Sequence, residues 1–227
     1  MQFVIEHLKK GFDEKEVLVD IDFTFEQGKI YGLLGRNGAG KTTLFNCLNG
    51  DLNIEMGRFY LFDGDEYQVD MHKIGYVTST PTVPEFLTGR EFLQFFIDIN
   101  KDNIKDLKTI DEYFDIVGIK HNDRNRLLKD YSHGMANKMQ MLINLIYNPF
   151  ILLLDEPLTS LDIVAADEMK KILRNIREDH ILILSTHIME LAMEMCDEII
   201  ILNHGVLQKV ERNQDKIIAI LKDENYD

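Results

Sequence analysis

Residues 35–42 read Gly-Arg-Asn-Gly-Ala-Gly-Lys-Thr, which matches the pattern G-x-x-x-x-G-K-[ST]. An apolar strand pattern, IYGLL, comes directly before this stretch, and a helical pattern that reaches about Leu48 follows it. Glycine lets the backbone wrap closely around an anion, and the amide groups of the loop and the helix N-terminus then face its oxygens. The order of strand, glycine-rich turn and helix therefore predicts a phosphate-binding loop.

The last two side chains of this loop have the chemistry that a nucleotide site needs. Lys41 can reach the β- and γ-phosphates, and the Thr42 hydroxyl can ligate Mg²⁺. The alternative is a glycine-rich turn that binds nothing, and the strand and helix on either side argue against it. ATP and Mg²⁺ are the ligands that we expect.

A second apolar strand pattern, residues 151–154, ends in Asp155 and Glu156. Parallel sheets bind their ligands at the carboxyl ends of strands. Asp155 can therefore hold Mg²⁺, and Glu156, which points differently, can polarise an attacking water. A strand end with two solvated acids is the alternative, and the phosphate loop makes it the weaker one.

The remaining patterns describe one interrupted domain. Strand and helix patterns alternate before residue 79 and again after residue 148, and the apolar runs lie between helices, as in parallel sheets covered on both faces. Residues 79–148 read mainly as helix. We expect an α/β core of residues 1–78 and 149–227 that is interrupted by an α-helical subdomain of residues 79–148.

Charge and composition limit the possible partners. The net charge of the 227 residues is −14, so a nucleic acid would be repelled and is not expected as a partner. No run reaches about 18 apolar residues, the length of a membrane-spanning helix, so a membrane role requires a partner protein. Cys47 and Cys196 lack metal-ligand spacing and indicate reduced thiols, as in the cytosol.

Together with the phosphate loop and the acidic strand, four further segments resemble the nucleotide-binding domain of ABC transporters over essentially the whole chain. Residues 131–135, Tyr-Ser-His-Gly-Met, are similar to the family signature, usually Leu-Ser-Gly-Gly-Gln, and match it at Ser132 and Gly134. Residues 160–162, Ser-Leu-Asp, resemble the D-loop. Taken alone, residues 131–135 are more simply an ordinary helix start that Ser132 caps.

Two single residues complete the resemblance. His187 follows a strand pattern in Ser-Thr-His, which resembles the H-loop, and Phe12 lies where the family places an aromatic ring that stacks on adenine. A strand-end histidine can also be a helix cap or a solvated side chain, and Phe12 can also be a core residue. The resemblance implies a P-loop NTPase (RecA-like) core with a parallel sheet, an N-terminal antiparallel β region and the helical insertion.

The resemblance also implies the site residues. The resemblance implies that Lys41, Glu156 and His187 are catalytic and that Thr42, Asp155 and Ser79 bind the metal. The nucleotide contacts are Phe12, Gly35, Asn37, Gly38, Ala39, Gly40, Lys41, Thr42, Thr43, Ser132, Gly134 and Asp162. Two such domains would face each other head to tail, with each ATP between one phosphate loop and the other domain's Ser132–Gly134 segment.

The chain departs from the family pattern at the Q-loop. The family's glutamine ends a stretch similar to Ile-Gly-Tyr-x-x-Gln, and residues 74–79 here read Ile-Gly-Tyr-Val-Thr-Ser. Ser79 can touch Mg²⁺ through water, but it cannot span the same gap as an amide. This departure therefore affects how tightly the site couples the attacking water and the metal to the membrane partner.

The function implied is that of an ATP-hydrolysing subunit that powers a membrane permease. The best-matching subgroup is the bacterial ABC-2-type exporters, often of drugs, peptides or antimicrobials, which places the chain on the cytoplasmic face of the cell membrane. The alternatives are a soluble ABC ATPase, a regulatory cassette that holds ATP with little or no turnover, and a phosphoryl-transfer kinase.

Overall fold

The computed structural model describes residues 1–13 and 15–222. Its chain forms two compact units. We call residues 1–76, 150–156 and 174 onward the core unit, and residues 77–149 and 157–173 the helical unit. The helical unit thus includes the stretch directly after Glu156, which the expected insertion at 79–148 did not.

The described residues form ten strands and seven α-helices, numbered in chain order. The strands are β1 Gln2–Phe12, β2 Lys15–Glu26, β3 Lys29–Leu34, β4 Met56–Phe62, β5 Glu66–Gln68, β6 Ile74–Val77, β7 Ile151–Asp155, β8 Ile181–Ser185, β9 Glu198–Asn203 and β10 Val206–Val210. The helices are α1 Lys41–Leu48, α2 Gly89–Asn100, α3 Ile110–Ile116, α4 His133–Tyr147, α5 Ile163–Ile176, α6 Met189–Met195 and α7 Gln214–Lys222. No helix of the described residues has both the length and the apolar character to cross a membrane.

The larger sheet has the strand order β10-β9-β3-β8-β7-β6, and β9, β3, β8 and β7 run parallel. Their apolar runs are buried on both faces, as the sequence predicts. Ser185 pairs with Asp155 on one side and with Leu33 on the other. The carboxyl ends of β3, β7 and β8 therefore lie side by side at one end of the sheet. The phosphate loop follows β3, Glu156 follows β7, and Thr186 and His187 follow β8.

The second sheet is antiparallel and has the order β2-β1-β4-β5. Its apolar face and that of the larger sheet enclose one core, whose members include Phe3, Phe25, Tyr31, Phe45 and Leu153. The apolar run IYGLL before the phosphate loop predicted β3, whereas no sequence pattern predicted β1 as a strand. An irregular register between Ile5 and Leu8, with His7 at a φ of 50°, breaks the period-2 pattern there.

Local signals start the helices of the helical unit. Thr88 and Glu91 form a capping box at the start of α2, and Thr109 and Glu112 form another at the start of α3. Ser132 caps α4, because its Oγ accepts a hydrogen bond from Met135 N at 3.2 Å. This is the cap that the sequence predicts for the segment similar to the signature.

Candidate active site

Two positions of the phosphate loop accommodate only glycine without strain. Gly40 has a φ of 103°, and a Cβ there would lie 2.9 Å from Val17 Cγ1. At Gly35 a Cβ would lie 2.8 Å from Leu202 O. The helix α1 begins at Lys41, within the last two residues of the loop, so its first amides point into the turn. This arrangement fits a phosphate group, as the sequence predicts.

Lys41 lies folded along this loop. Its Nζ donates to Gly35 O at 2.8 Å and to Arg36 O at 3.2 Å, and only 8% of the residue is exposed. Burial lowers the pKa of Lys41, and the charges of Glu156 and Asp155 oppose that shift. An ammonium that is held by neutral carbonyls and depleted of water gains much from an anionic oxygen.

Asp155 is the most enclosed acid of the site, with 2% of its surface exposed. Its Oδ2 accepts from Thr42 Oγ1 at 2.8 Å, and its Oδ1 accepts from Ser185 Oγ. The Tyr76 hydroxyl also bonds to Asp155. Burial raises the pKa of Tyr76, and the carboxylate adds to the shift. Hydroxyl and carboxylate oxygens are the ligands that Mg²⁺ prefers, so Thr42 and Asp155 fit this metal.

Glu156 is held at both carboxylate oxygens. Oε1 lies 2.7 Å from His187 Nδ1, and Oε2 accepts from Thr186 Oγ1 at 3.3 Å. The backbone of Glu156 has a φ of 50°, a strained value for a non-glycine residue and one that clusters at functional sites. A carboxylate beside an imidazole, one residue after a metal-type carboxylate, can accept a proton from water.

Phe12 ends β1 with 45% of its surface exposed, which excludes the core role that the sequence left open. Lys10 Nζ lies 5.2 Å from the ring centroid. An exposed ring beside a cation is suited to stacking on a flat, electron-rich base.

The helical unit has a second polar site at the start of α4. A cavity of about 380 Å³ is lined there by residues that include Ser132, Gly134, Lys138, Ser160 and Asp162. At Gly134 a Cβ would lie 2.8 Å from Ser160 O, so the two segments touch through backbone. Two lysines, Lys120 and Lys138, and two aspartates, Asp123 and Asp162, line the cavity beside the capped helix start, whose amides face an anion favourably.

Asp162 also has a local role that the sequence did not predict. Its Oδ1 accepts from Val164 N and Ala165 N, both at 3.0 Å, and so caps α5. These hydrogen bonds from backbone amides lower the pKa of Asp162, and the one from Ala165 has the largest effect. The carboxylate is therefore fixed in its orientation within this unit.

The structure thus groups the expected residues by unit. In the core unit, the phosphate loop, Thr42, Asp155, Glu156 and His187 lie at one sheet edge. In the helical unit, Ser132, Gly134 and Asp162 line one cavity. Ser79 lies exposed in the helical unit, in the segment that follows β6.

Sequence reasoning missed four polar residues around these groups. Tyr76 and Ser185 surround Asp155, and Asn137 and Gln140 are buried in α4. The first two lie in strands whose apolar pattern hid them. The sequence does carry a signal for Asn137 and Gln140: two carboxamides lie three residues apart on the apolar face of one helix. Buried carboxamides need hydrogen-bond partners, so this spacing predicts a polar contact inside the unit.

Comparisons with known proteins agree on one family. The family model "ABC transporter" matches residues 18–159. An uncharacterised ABC transporter ATP-binding protein of Methanocaldococcus jannaschii is 34% identical over 205 residues, which cover 88% of this chain and 74% of the relative. The bacitracin transport ATP-binding protein BcrA of Enterococcus faecalis is 31% identical over 215 residues, which cover 91% of this chain and 68% of the relative.

A solved structure confirms the fold. The dimeric post-hydrolysis state of the ATP-binding cassette MJ0796, bound to ADP and Pi, matches with a TM-score of 0.78 at 19% identity. The match covers 93% of this chain and 99% of that one. The α/β core, the antiparallel β region and the helical insertion expected from the sequence are therefore those of a known fold.

Proposed function

Because the chain belongs to the ABC transporter family, as a subunit that binds and hydrolyses ATP to power transport, we propose a role in that reaction for each site residue. The observation that carries the proposal is the Glu156–His187 contact of 2.7 Å at the strand edge that also holds the phosphate loop. A cassette that only holds ATP has no need of a carboxylate and an imidazole in contact there.

The core unit supplies the groups for hydrolysis. The loop amides and Lys41 bind the phosphates, and Thr42 and Asp155 hold Mg²⁺, which supplies charge neutralisation at the phosphates. Glu156 accepts a proton from the attacking water. His187 orients Glu156 through Nδ1 and contacts the terminal phosphate through its other face. Phe12 stacks on the adenine.

The helical unit supplies the groups for a second nucleotide. Ser132 and Gly134, with the cavity they line, bind the phosphates held by the phosphate loop of a second cassette. ATP therefore favours a head-to-tail dimer, and hydrolysis favours its opening, through the difference in binding between ATP and ADP. The dimeric state of the solved MJ0796 cassette supports this proposal.

The cargo and the membrane partner complete the proposal. The chain works with a separate membrane permease at the cytoplasmic face of the membrane, and the pair exports antimicrobial peptides or drugs. The name of the relative BcrA, a bacitracin transport protein, supports this class of cargo.

The apolar surface of residues 79–100 is the proposed permease contact. Phe86, which precedes α2, is 79% exposed. Within α2, Phe95 and Ile99 are 58% and 63% exposed, whereas Leu93 and Ile97 are buried. The exposed side chains leave one face of α2 available, and large apolar side chains in water indicate an interaction site.

Phosphate release by the purified chain, with and without its permease, tests the proposal. We expect Mg²⁺-dependent release that the permease stimulates, and export of bacitracin by vesicles that contain both proteins. A chain that binds ATP but releases no phosphate in either condition is a regulatory cassette. Cross-links from a permease that avoid residues 79–100 altogether would contradict the proposed contact.

A further inference from the structure

The helix α4 carries two buried carboxamides on one face. Asn137 is 1% exposed and Gln140 is 6% exposed, and their spacing of three residues puts them side by side. Asn137 Nδ2 donates to Pro157 O and to Ser160 Oγ, both at 3.1 Å. The first carboxamide therefore fixes the segment that leads to Asp162, and the second holds a different segment.

Gln140 holds the backbone of Thr78. With the carboxamide oriented so that both of its atoms are paired, Nε2 donates to Thr78 O at 3.2 Å and Oε1 accepts from Thr78 N at 3.1 Å. Thr78 is thus bound as it would be by a neighbouring strand, with its donor and its acceptor both satisfied.

The Thr78 hydroxyl closes the same turn. It lies 2.8 Å from the Gln140 carboxamide oxygen and 2.7 Å from Thr80 O, so its proton has an acceptor on either side. These contacts fix the residue before Ser79 and the residue after it. Ser79 itself is exposed at the surface of the helical unit.

We propose that Gln140 is a positioning residue for ATP hydrolysis: by holding Thr78, it ties the segment that carries Ser79 to the helix that Ser132 caps. A change at the helix start is then passed to Ser79 as a movement of one rigid body, because buried, fully paired carboxamides resist separation. The inference rests on the proposed function for its consequence in turnover, but the tether itself does not depend on that function.

Gln140→Met tests the tether in the 227-residue chain. Methionine keeps the length and volume of the side chain, but it can neither donate to Thr78 O nor accept from Thr78 N. We expect amide hydrogen exchange at Thr78 to rise about 10-fold or more while the amides of α4 keep their protection. The matched control is Gln208→Met, the same change at an exposed position of β10, which should leave Thr78 exchange unchanged.

A second variant covers the case in which Gln140→Met does not fold. Gln140→Glu keeps the acceptor for Thr78 N and loses the donor to Thr78 O, so its exchange at Thr78 should rise to an intermediate degree. Exchange at Thr78 that stays at the parent rate in the variants that fold overturns the tether.

Turnover separates positioning from a merely structural role. We expect Gln140→Met to lower kcat about 10-fold with KM for ATP within about 2-fold, as misplacement of a bound group does. When Ser79→Ala is already present, adding Gln140→Met should change kcat little, because both act through one side chain. If the effects of Gln140→Met and Ser79→Ala on kcat multiply in the double variant, the inference is overturned. A parent chain without ATPase activity contradicts the proposed function instead, and the exchange experiment still decides the tether.

Discussion

His187 Nδ1 lies 2.7 Å from Glu156 Oε1, and this contact links the ends of two neighbouring parallel strands. Thr186 Oγ1 holds the other oxygen of the same carboxylate at 3.3 Å. Glu156 directly follows β7, but its carboxylate is oriented by Thr186 and His187, which directly follow β8. Any change at His187 should act partly through the orientation of Glu156.

Glu156→Gln should bind ATP and hydrolyse it at least about 10²-fold more slowly, because the amide keeps the shape and cannot accept the proton. The slow variant should also form a stable dimer with ATP. Phosphate release and gel filtration measure the two effects, and Glu16→Gln, an exposed acid on β2, is the matched control. A Glu156→Gln chain that stays monomeric with normal turnover removes Glu156 from the reaction.

His187→Ala should lower kcat about 10²-fold and leave ATP affinity within a few-fold, because a group that orients the base acts mainly in the transition state. In the Glu156→Gln background the same change should cost much less, since the two residues act as a unit. Single-turnover rates of the four chains test this coupling. Equal costs of His187→Ala in both backgrounds would show independent roles.

Lys41→Ala should abolish or greatly weaken turnover, by about 10²-fold or more, because it removes the charge that faces the phosphates. Lys101→Ala, at an exposed position just after α2, is the control and should keep parent activity. Full ATPase activity of Lys41→Ala would contradict the assignment of the phosphate loop.

Tyr76→Phe removes one of the three hydroxyls around the buried carboxylate of Asp155. We expect a loss of about 1–3 kcal/mol in the free energy of unfolding, the range for a lost hydrogen bond to a buried charged group. The phenyl ring should keep its edge-on contact with Phe45. Urea unfolding measures the change, and Tyr67→Phe on the exposed strand β5 is the control. Equal midpoints for Tyr76→Phe and the parent would show that the hydroxyl contributes nothing.

The sequence predicted the fold well where one local pattern decides the structure. The phosphate loop, the acidic strand and the cap at Ser132 each follow from a short run of residues, and β1 was missed because a bulge interrupts its alternation. The partners of Asp155 could not be predicted in this way. Tyr76 and Ser185 reach it from strands that are distant in the sequence, and only the strand order of the sheet brings them together.

Ser79 is the residue for which sequence and structure together give the sharpest prediction. Where the family has a carboxamide, this chain has a hydroxyl that is shorter by about two bonds, and a hydrogen bond weakens steeply once its partner is out of reach. We therefore expect looser control of metal-bound water than in related cassettes. The competing idea is that the hydroxyls of residues 78–80 hold that water together. The Thr78 hydroxyl, however, already lies 2.7 Å from Thr80 O within its own turn.

Ser79→Ala separates these ideas. If Ser79 positions metal-bound water, kcat should fall, by up to roughly 10²-fold, while ATP affinity stays nearly constant because water replaces the missing ligand. Thr78→Val, which keeps the shape and removes the neighbouring hydroxyl, should have the smaller effect. Ser79→Gln should raise basal turnover with a weaker response to the permease, because the longer amide spans the gap without the movement that the permease drives. Values of kcat for Ser79→Ala and Ser79→Gln that both equal the parent value would leave Ser79 without a role in hydrolysis.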